Sequence, residues 1–302
     1  MKIKRFLSLC PVIAVFTGFM VFTPLPVSAQ SGSSVWEISK NGNTLYLGGS
    51  VHILREEDFP LPGEFDFAFE NSSILVLETD LEKMNDPQIL QYLVSQMLIP
   101  GGGGLQSILN SETFLLLKEK CEEFNIPIES VSMLKPSMVV TLLTVLELQK
   151  FGFVQQGVDI HYLEKAKEEN KSFDFLESVE TQINILVSMG EGYEDDYVRY
   201  SLMDLESTSG NVITIVSEWR GGESAYTELS IMEMKESWPV LYKALMTDRN
   251  NAWMQKFDEF IATSEVEFVI AGLAHMYGPD GLLNLLENSG YTVKQLTDFS
   301  GP

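Results

Sequence analysis

Cysteine is almost missing from this sequence of 302 residues, which has only Cys10 and Cys121. Cys10 falls inside an apolar N-terminal stretch, too early for a lipoprotein attachment site. Once that stretch is removed, Cys121 has no partner, so an intramolecular disulfide and a zinc-ribbon cysteine set are both excluded. Stability must come from a hydrophobic core, and a lone thiol on an amphipathic helix reads as a small core residue. Basic residues are also scarce, with 20 Lys and Arg against 43 Asp and Glu for a net charge of −23. Such a surface repels nucleic acid and anionic lipid, excludes a DNA partner or a peripheral membrane role, and concentrates cations near the protein. No G-x-S-x-G elbow, H-E-x-x-H helix or P-loop is present, so serine-hydrolase, zincin and nucleotide-binding readings lack their motifs.

The N-terminus has its own grammar. Lys2, Lys4 and Arg5 precede an apolar run over 6–22, and Val27-Ser28-Ala29 before Gln30 fits a small-residue cleavage site. Residues 1–29 are expected to be a signal peptide that sends the protein to the periplasm or outside the cell. A retained anchor is the alternative, because the apolar run is long. Cleavage leaves 17 basic residues against 43 acidic ones, a net charge of −26, with no stable membrane association. Residues 30–302 are enough for one large domain or two closely packed halves, and a single α/β domain with a helical insertion is expected.

Histidine is the third scarcity, and here scarcity is informative. Of only three histidines, two end the same pattern: Leu45-Tyr46-Leu47-Gly48-Gly49-Ser50-Val51-His52 and Phe268-Val269-Ile270-Ala271-Gly272-Leu273-Ala274-His275. Each is an apolar run followed by glycine, two residues and histidine. A buried strand that runs into a glycine-containing turn bends tightly and leaves the next polar side chain at the carboxyl edge of the sheet, where open α/β sheets bind ligands. Histidine there ligates a metal as neutral imidazole or acts as a general base. The bland alternative is a pair of buried histidines satisfied by backbone partners.

The rest of the chain predicts an α/β fold, a mixed central sheet built from N- and C-terminal segments with a largely helical middle, about 86–249. Trp36 to Ile38 and Thr44 to Leu47 form a hairpin around Asn41-Gly42, and a short helix follows near 64–71. The run Ile74-Leu75-Val76-Leu77 marks a strand buried on both faces. Apolar periodicity predicts helices over 86–98, 111–124, 137–150, 158–169, 179–189, 193–205, 222–234 and 248–262, with a short strand at 173–176 ending at Glu177. The C-terminal unit reads as strand 266–271, the second motif, helix 279–289 and strand 291–295.

Several residues join the histidines as candidates. Glu78 follows a buried strand, where a carboxylate is costly unless paired or bound to a cation, and it would share a sheet edge with His52 and His275. Two imidazoles and one carboxylate suit a catalytic divalent ion, whereas the alternative is a strand that simply ends in solvent. Asp159 falls on the apolar arc of helix 158–169 with Val158, Tyr162, Leu163 and Ala166; it is a site carboxylate or a plain N-terminal acid. His161 falls on the opposite, charged arc. Arg249 and Asn250 open the helix before the second motif strand. The guanidinium there would clamp a substrate carboxylate or an oxyanion, and the amide would hold a carboxylate or backbone group, unless Asp248 caps the helix and Arg249 faces solvent. Ser50 reads as a turn residue.

With the two motifs, Glu78, Gly157-x-Asp159, Glu177, Arg249-Asn250 and Gly278-Pro279-Asp280-Gly281 in place, the sequence resembles the TraB/GumN family, to which the TIKI proteins are related, from about Trp36 to Leu296. The resemblance implies an α/β fold with a helical insertion and, through the TIKI relatives, a divalent-metal-dependent peptidase activity. The family's paired histidines correspond to His52 and His275, its early acidic residue to Glu78 and its Arg-Asn pair to Arg249 and Asn250.

Together these readings predict an exported, metal-dependent hydrolase of peptides or secreted proteins. In it, His52, Glu78 and His275 hold manganese, cobalt or zinc, and Glu78, Asp159 or Glu177 takes the proton from the attacking water. A peptide-sequestering protein without turnover and a metal-independent, esterase-like hydrolase with a motif histidine as base are the alternatives. The acidic surface favours cationic or neutral peptides as substrates.

Overall fold

The computed structural model describes residues 32–154 and 156–297, so the segment 1–29 read as a signal peptide lies outside the described residues. Strands β1 (Gly32–Lys40) and β2 (Asn43–Ser50) form the expected antiparallel hairpin. Asn41 and Gly42 both have positive φ, 54° and 89°, the turn geometry that Asn-Gly adopts easily and whose twist matches the flanking strands.

β3 (Ile74–Leu77), β4 (Ser172–Phe175), β5 (Glu267–Gly272) and β6 (Thr292–Thr297) complete a six-stranded mixed sheet of order β4-β3-β5-β2-β1-β6. β4, β3, β5 and β2 are parallel, while β1 is antiparallel to both of its neighbours. The two motif strands are direct partners, with Ser50 opposite Gly272. Four parallel strands therefore deliver their carboxyl ends to one edge. The α/β class and the sheet assembled from both ends of the chain follow the sequence reading.

The chain divides into two compact units. The unit that holds the sheet takes in residues 32–79, 152–177 and 213–297. Its core is aromatic: Phe65 packs against Tyr162, Trp219 and Phe268 with ring centroids 5.5–6.2 Å apart. This packing corrects the role expected for the first motif's glycines. β2 continues as regular strand to Ser50, so no tight turn is made there. A Cβ on Gly48 would lie 2.9 Å from the Phe268 ring, and one on Gly49 would lie 2.7 Å from Leu273 Cδ1. The glycines serve close packing.

Helix Val158–Glu168 buries the predicted face, Val158, Tyr162, Leu163 and Ala166. Its N-terminus touches the first motif, since the Val158 amide donates to the Val51 carbonyl at 3.2 Å and a Cβ on Gly157 would come within 2.3 Å of that oxygen. Helix Asp248–Phe260 buries Asn250, Trp253, Phe257 and Phe260. It is not a free helix start. The chain is already helical from Pro239, passes through a π-helical turn at Lys243–Thr247, and Asp248 pairs with Lys243 instead of capping. Such π turns occur often beside functional residues, and this one immediately precedes Arg249 and Asn250.

The sequence reading placed no helix over Thr208–Gly221. Its run Val212-Ile213-Thr214-Ile215-Val216 is β-branched and carries a strand signal, which burial overrides. Trp219 on this helix is fully buried and donates its indole N–H to the Gly49 carbonyl at 2.7 Å.

The second unit takes in residues 80–151 and 178–212. Its helices include Pro87–Met97, Ser111–Glu123, Pro136–Lys150, Val179–Ser188 and Glu194–Met203. Asp86, Asn110 and Ser178 cap three of them through their side chains. Met138, Val179, Ile183 and Val187 form a core covered by Tyr92, Leu93 and Leu186. Cys121 is buried and free, and burial pushes its thiol up to about 11, as suits a core residue and not a nucleophile. Among the described residues no helix is long and apolar enough to cross a membrane.

Candidate active site

The parallel strands explain why residues far apart in sequence meet. His52 lies two residues beyond β2, Glu78 directly follows β3, Glu177 lies two beyond β4, and His275 lies three beyond β5. Asp159 arrives from the first turn of helix Val158–Glu168, and Arg249 and Asn250 from the first turn of Asp248–Phe260. All seven sequence-derived residues belong to the unit that holds the sheet.

His52 is the exposed member, with 45% of its side chain accessible. Its Nδ1 lies 2.9 Å from Asp159 Oδ2, while Asp159 Oδ1 accepts a hydrogen bond from Ser50 Oγ. Asp159 thus has side-chain partners in both His52 and Ser50. Its negative charge is the main reason that His52 is raised to about 9. With Nδ1 committed to Asp159, the other ring nitrogen, Nε2, faces Glu78 Oε1 at 4.0 Å.

His275 is buried and held differently. Its Nδ1 is 2.6 Å from Asn250 Oδ1, and its Nε2 is 2.8 Å from Arg249 Nη1. A guanidinium has only donors, so His275 Nε2 accepts and Nδ1 carries the proton that it donates to Asn250. That tautomer is neutral, in keeping with burial, and secondarily the Arg249 charge, lowering His275 to about 3. The Asn250 amide also donates to the His275 carbonyl at 3.3 Å and to the Asp280 carbonyl at 2.7 Å. One buried asparagine therefore fixes the imidazole, its own backbone and the Gly278–Gly281 loop.

Glu78 accepts from the Gly272 amide at 2.6 Å and from Arg249 Nη2 at 2.5 Å. Burial alone would raise its carboxyl; the Arg249 guanidinium and the two imidazoles outweigh burial and hold it well below the ordinary carboxylate range. Arg249 also makes a two-pronged pair with Glu177, at 2.8 and 3.1 Å, and lies 4.6 Å above the Trp253 ring. Trp253 donates to Glu177 at 3.1 Å and packs 4.5 Å from His275. Burial raises Glu177, and its bonds to Arg249 offset part of that.

The donor set suits a divalent ion in kind. Both imidazoles have Nδ1 tied to a side-chain oxygen, the arrangement in which protein histidines hold metals, and Glu78 adds an ionised oxygen; His275 Nε2 already accepts from Arg249, and His52 Nε2 offers a lone pair only once its proton is lost. Gly272 is the floor. A Cβ there would lie 3.2 Å from Glu78 Oε1, 3.2 Å from His52 Nε2 and 3.6 Å from His275 Cδ2. Among the described residues no group of three or more His, Cys, Asp or Glu is arranged to hold a metal as it stands. The Arg249 guanidinium instead spans Glu78 and His275.

Sequence reasoning missed Ser50, Trp253 and the reason for Gly272. Trp253 had a usable signal, since it lies one helical turn beyond Arg249 and so on the same face. Ser50 had none, because its partner Asp159 is 109 residues away. His161 is not among these residues; it packs beside Phe59 with ring centroids 5.7 Å apart.

The family model described as TraB/PrgY/gumN matches residues 34–295. The uncharacterized protein YbaP of Escherichia coli (strain K12) is 24% identical over 256 residues, covering 83% of this chain and 90% of that protein. Metalloprotease TIKI1 of Danio rerio is 29% identical over 130 residues, covering 39% of this chain and 25% of its own length. Its Homo sapiens counterpart is 31% identical over 99 residues, covering 32% and 19% respectively. No solved structure matches the chain significantly.

Proposed function

The chain belongs to the TraB/PrgY/gumN family, and on that premise we propose that it is an exported, divalent-metal-dependent hydrolase of peptide bonds. The observation that carries the proposal is the pair of imidazoles whose Nδ1 atoms are bound by Asp159 and Asn250, with His52 Nε2 4.0 Å from the ionised Glu78 and the His275 ring beside the same glycine floor. His52, Glu78 and His275 would hold the ion. Bound manganese, cobalt or zinc would supply an acidified water as nucleophile and polarise the scissile carbonyl.

The remaining residues prepare that site. Asp159 aims His52, Asn250 keeps His275 in its neutral tautomer, and the Gly272 amide with Arg249 keeps Glu78 ionised. Because His52 is exposed and Glu78, His275 and Asn250 are buried, substrate approaches from the His52 side. The metalloprotease name of the TIKI1 relatives supports peptides as the substrate class, and the net charge of −23 favours cationic or neutral ones. Export rests on residues 1–29.

The test is turnover of a peptide library by the mature protein beside His52→Ala and His275→Ala variants that melt as the wild type does. Loss of cleavage in both is expected; full cleavage by both removes the site. One observation favours a second reading. Arg249 already satisfies Glu78 and His275, so a metal-free hydrolase in which the Asp159-held His52 is the base is also built from these contacts. Its signature is turnover that survives chelator and rises toward pH 9 as His52 loses its proton.

A further inference from the structure

Ser50 is the last residue of β2, is only 2% exposed, and donates its hydroxyl to Asp159 Oδ1. The alternation of the strand puts it there. Side chains at 48 and 50 share a face of the sheet, and a Cβ on Gly48 would meet Phe65 and Phe268, the rings that pack around Tyr162 of helix Val158–Glu168. The first turn of that helix sits against the strand end, where the Val158 amide donates to the Val51 carbonyl at 3.2 Å. Asp159 therefore has one oxygen on Ser50 and the other 2.9 Å from His52 Nδ1. Among the described residues both oxygens are taken by the first motif and neither by the amides of its own helix, although a carboxylate in a first turn gains from those amides and their dipole.

We infer that Ser50 is a positioning residue: its hydroxyl holds Asp159 turned away from its own helix, so that Oδ2 aims the His52 ring and leaves Nε2 on the Glu78 side. The inference rests on the reading of His52 as a working group of the site, and it needs no metal. The terminal torsion of an aspartate is broad, so a carboxylate with one oxygen free turns readily, and the helix amides offer it a competing anchor. Ser50 removes that freedom. Because a carboxylate only accepts, the proton in the contact between Asp159 and His52 lies on Nδ1. A neutral His52 then carries its lone pair on Nε2, the atom 4.0 Å from Glu78 Oε1. Ligand or base, His52 needs that lone pair. Ser50 is buried and bonded to a carboxylate, so it acts through Asp159 and is not itself a nucleophile.

The test reads the tautomer directly, by two-bond proton–nitrogen NMR of the imidazole rings in isotope-labelled mature protein above pH 9, where His52 is neutral. With three histidines in the chain, His52→Ala assigns the signal. Wild type should show the His52 proton on Nδ1, the tautomer that a free imidazole disfavours. Ser50→Ala should move it to Nε2, and Ser50→Thr, which keeps the hydroxyl, should hold it on Nδ1. On a cleaved peptide, kcat should fall about tenfold or more in Ser50→Ala with KM little changed, within the range by which groups bonded to a working histidine alter activity. An unchanged tautomer in a Ser50→Ala variant that melts as the wild type does overturns the inference and leaves the hydrolase reading standing. Nε2–H in the wild type overturns it too, as does loss of Nδ1–H in a folded Ser50→Thr, which would assign the effect to packing. The expected tautomer shift without turnover by any form supports the positioning role and removes the hydrolase reading. Where Ser50→Thr does not fold, a crystal structure of Ser50→Ala decides: Asp159 turned off His52 is the expected result, and an intact 2.9 Å contact contradicts the inference.

Discussion

Gly272→Ala separates the site from the fold more cleanly than substitution of a ligand. Gly272 has φ −51° and ψ 136°, a conformation open to any L residue, so alanine brings no backbone strain and lowers the entropy of the unfolded chain. Stability should change by less than about 1 kcal/mol. The added methyl, however, would lie 3.2 Å from both Glu78 Oε1 and His52 Nε2, inside ordinary contact, so each group must retreat by a few tenths of an ångström. Metal sites tolerate ligand displacements of only about 0.2 Å, so manganese affinity should fall roughly 10- to 100-fold, with turnover falling in step. Calorimetric titration with manganese beside a thermal melt checks both halves. A variant that melts like the wild type and binds manganese with unchanged affinity would refute the idea that His52 and Glu78 converge on one ion above Gly272.

Other perturbations read other parts of the arrangement. Gly157→Ala would drive a methyl to 2.3 Å from the Val51 carbonyl and push helix Val158–Glu168 off the first motif, costing about 1–3 kcal/mol in urea unfolding and releasing His52 from Asp159. Asn250→Ala strands the His275 Nδ1 proton and two carbonyls in a buried site, so an unfolding free energy lower by about 2–4 kcal/mol is expected, with activity lost even in the folded fraction. Glu267 gives a pH dependence away from the site. It is buried on β5 with Oε2 unpartnered among the described residues, and burial raises its carboxyl to about 7. The unfolded chain releases this proton near pH 4.5 and the folded chain near 7, so stability falls across that window and levels off above it. Glu267→Gln should remove the fall, leaving the variant more stable at pH 8 by up to about 3 kcal/mol and similar to wild type below pH 4.5; parallel melting curves across that range would contradict this.

What could be read in advance was whatever local pattern controls. Asn41-Gly42 named its own turn, Ile74 to Leu77 named a strand buried on both sides, and the apolar arc of helix Val158–Glu168 matches its sequence periodicity residue for residue. The paired Gly-x-x-His motifs pointed at one sheet edge because parallel strands share an edge. What local pattern does not encode was lost. The β-branched run at 212–216 is helical because of where Trp219 is buried, and Gly48 and Gly49 answer to Phe65, Phe268 and Leu273, which no window around the motif contains. Arg249 was expected to face a substrate or solvent, yet it turns inward to carboxylates 72 and 171 residues away. Charge compensation between distant buried groups leaves no periodic trace in sequence.

The most direct test of the account is metal content, by elemental analysis, of the mature protein equilibrated with manganese, cobalt and zinc, wild type beside a His52→Ala, His275→Ala double variant. Near one equivalent of metal in the wild type and none in a double variant that remains folded is the predicted result. Equal metal in both proteins, or none in the wild type, would contradict the assignment of a divalent ion to His52, Glu78 and His275.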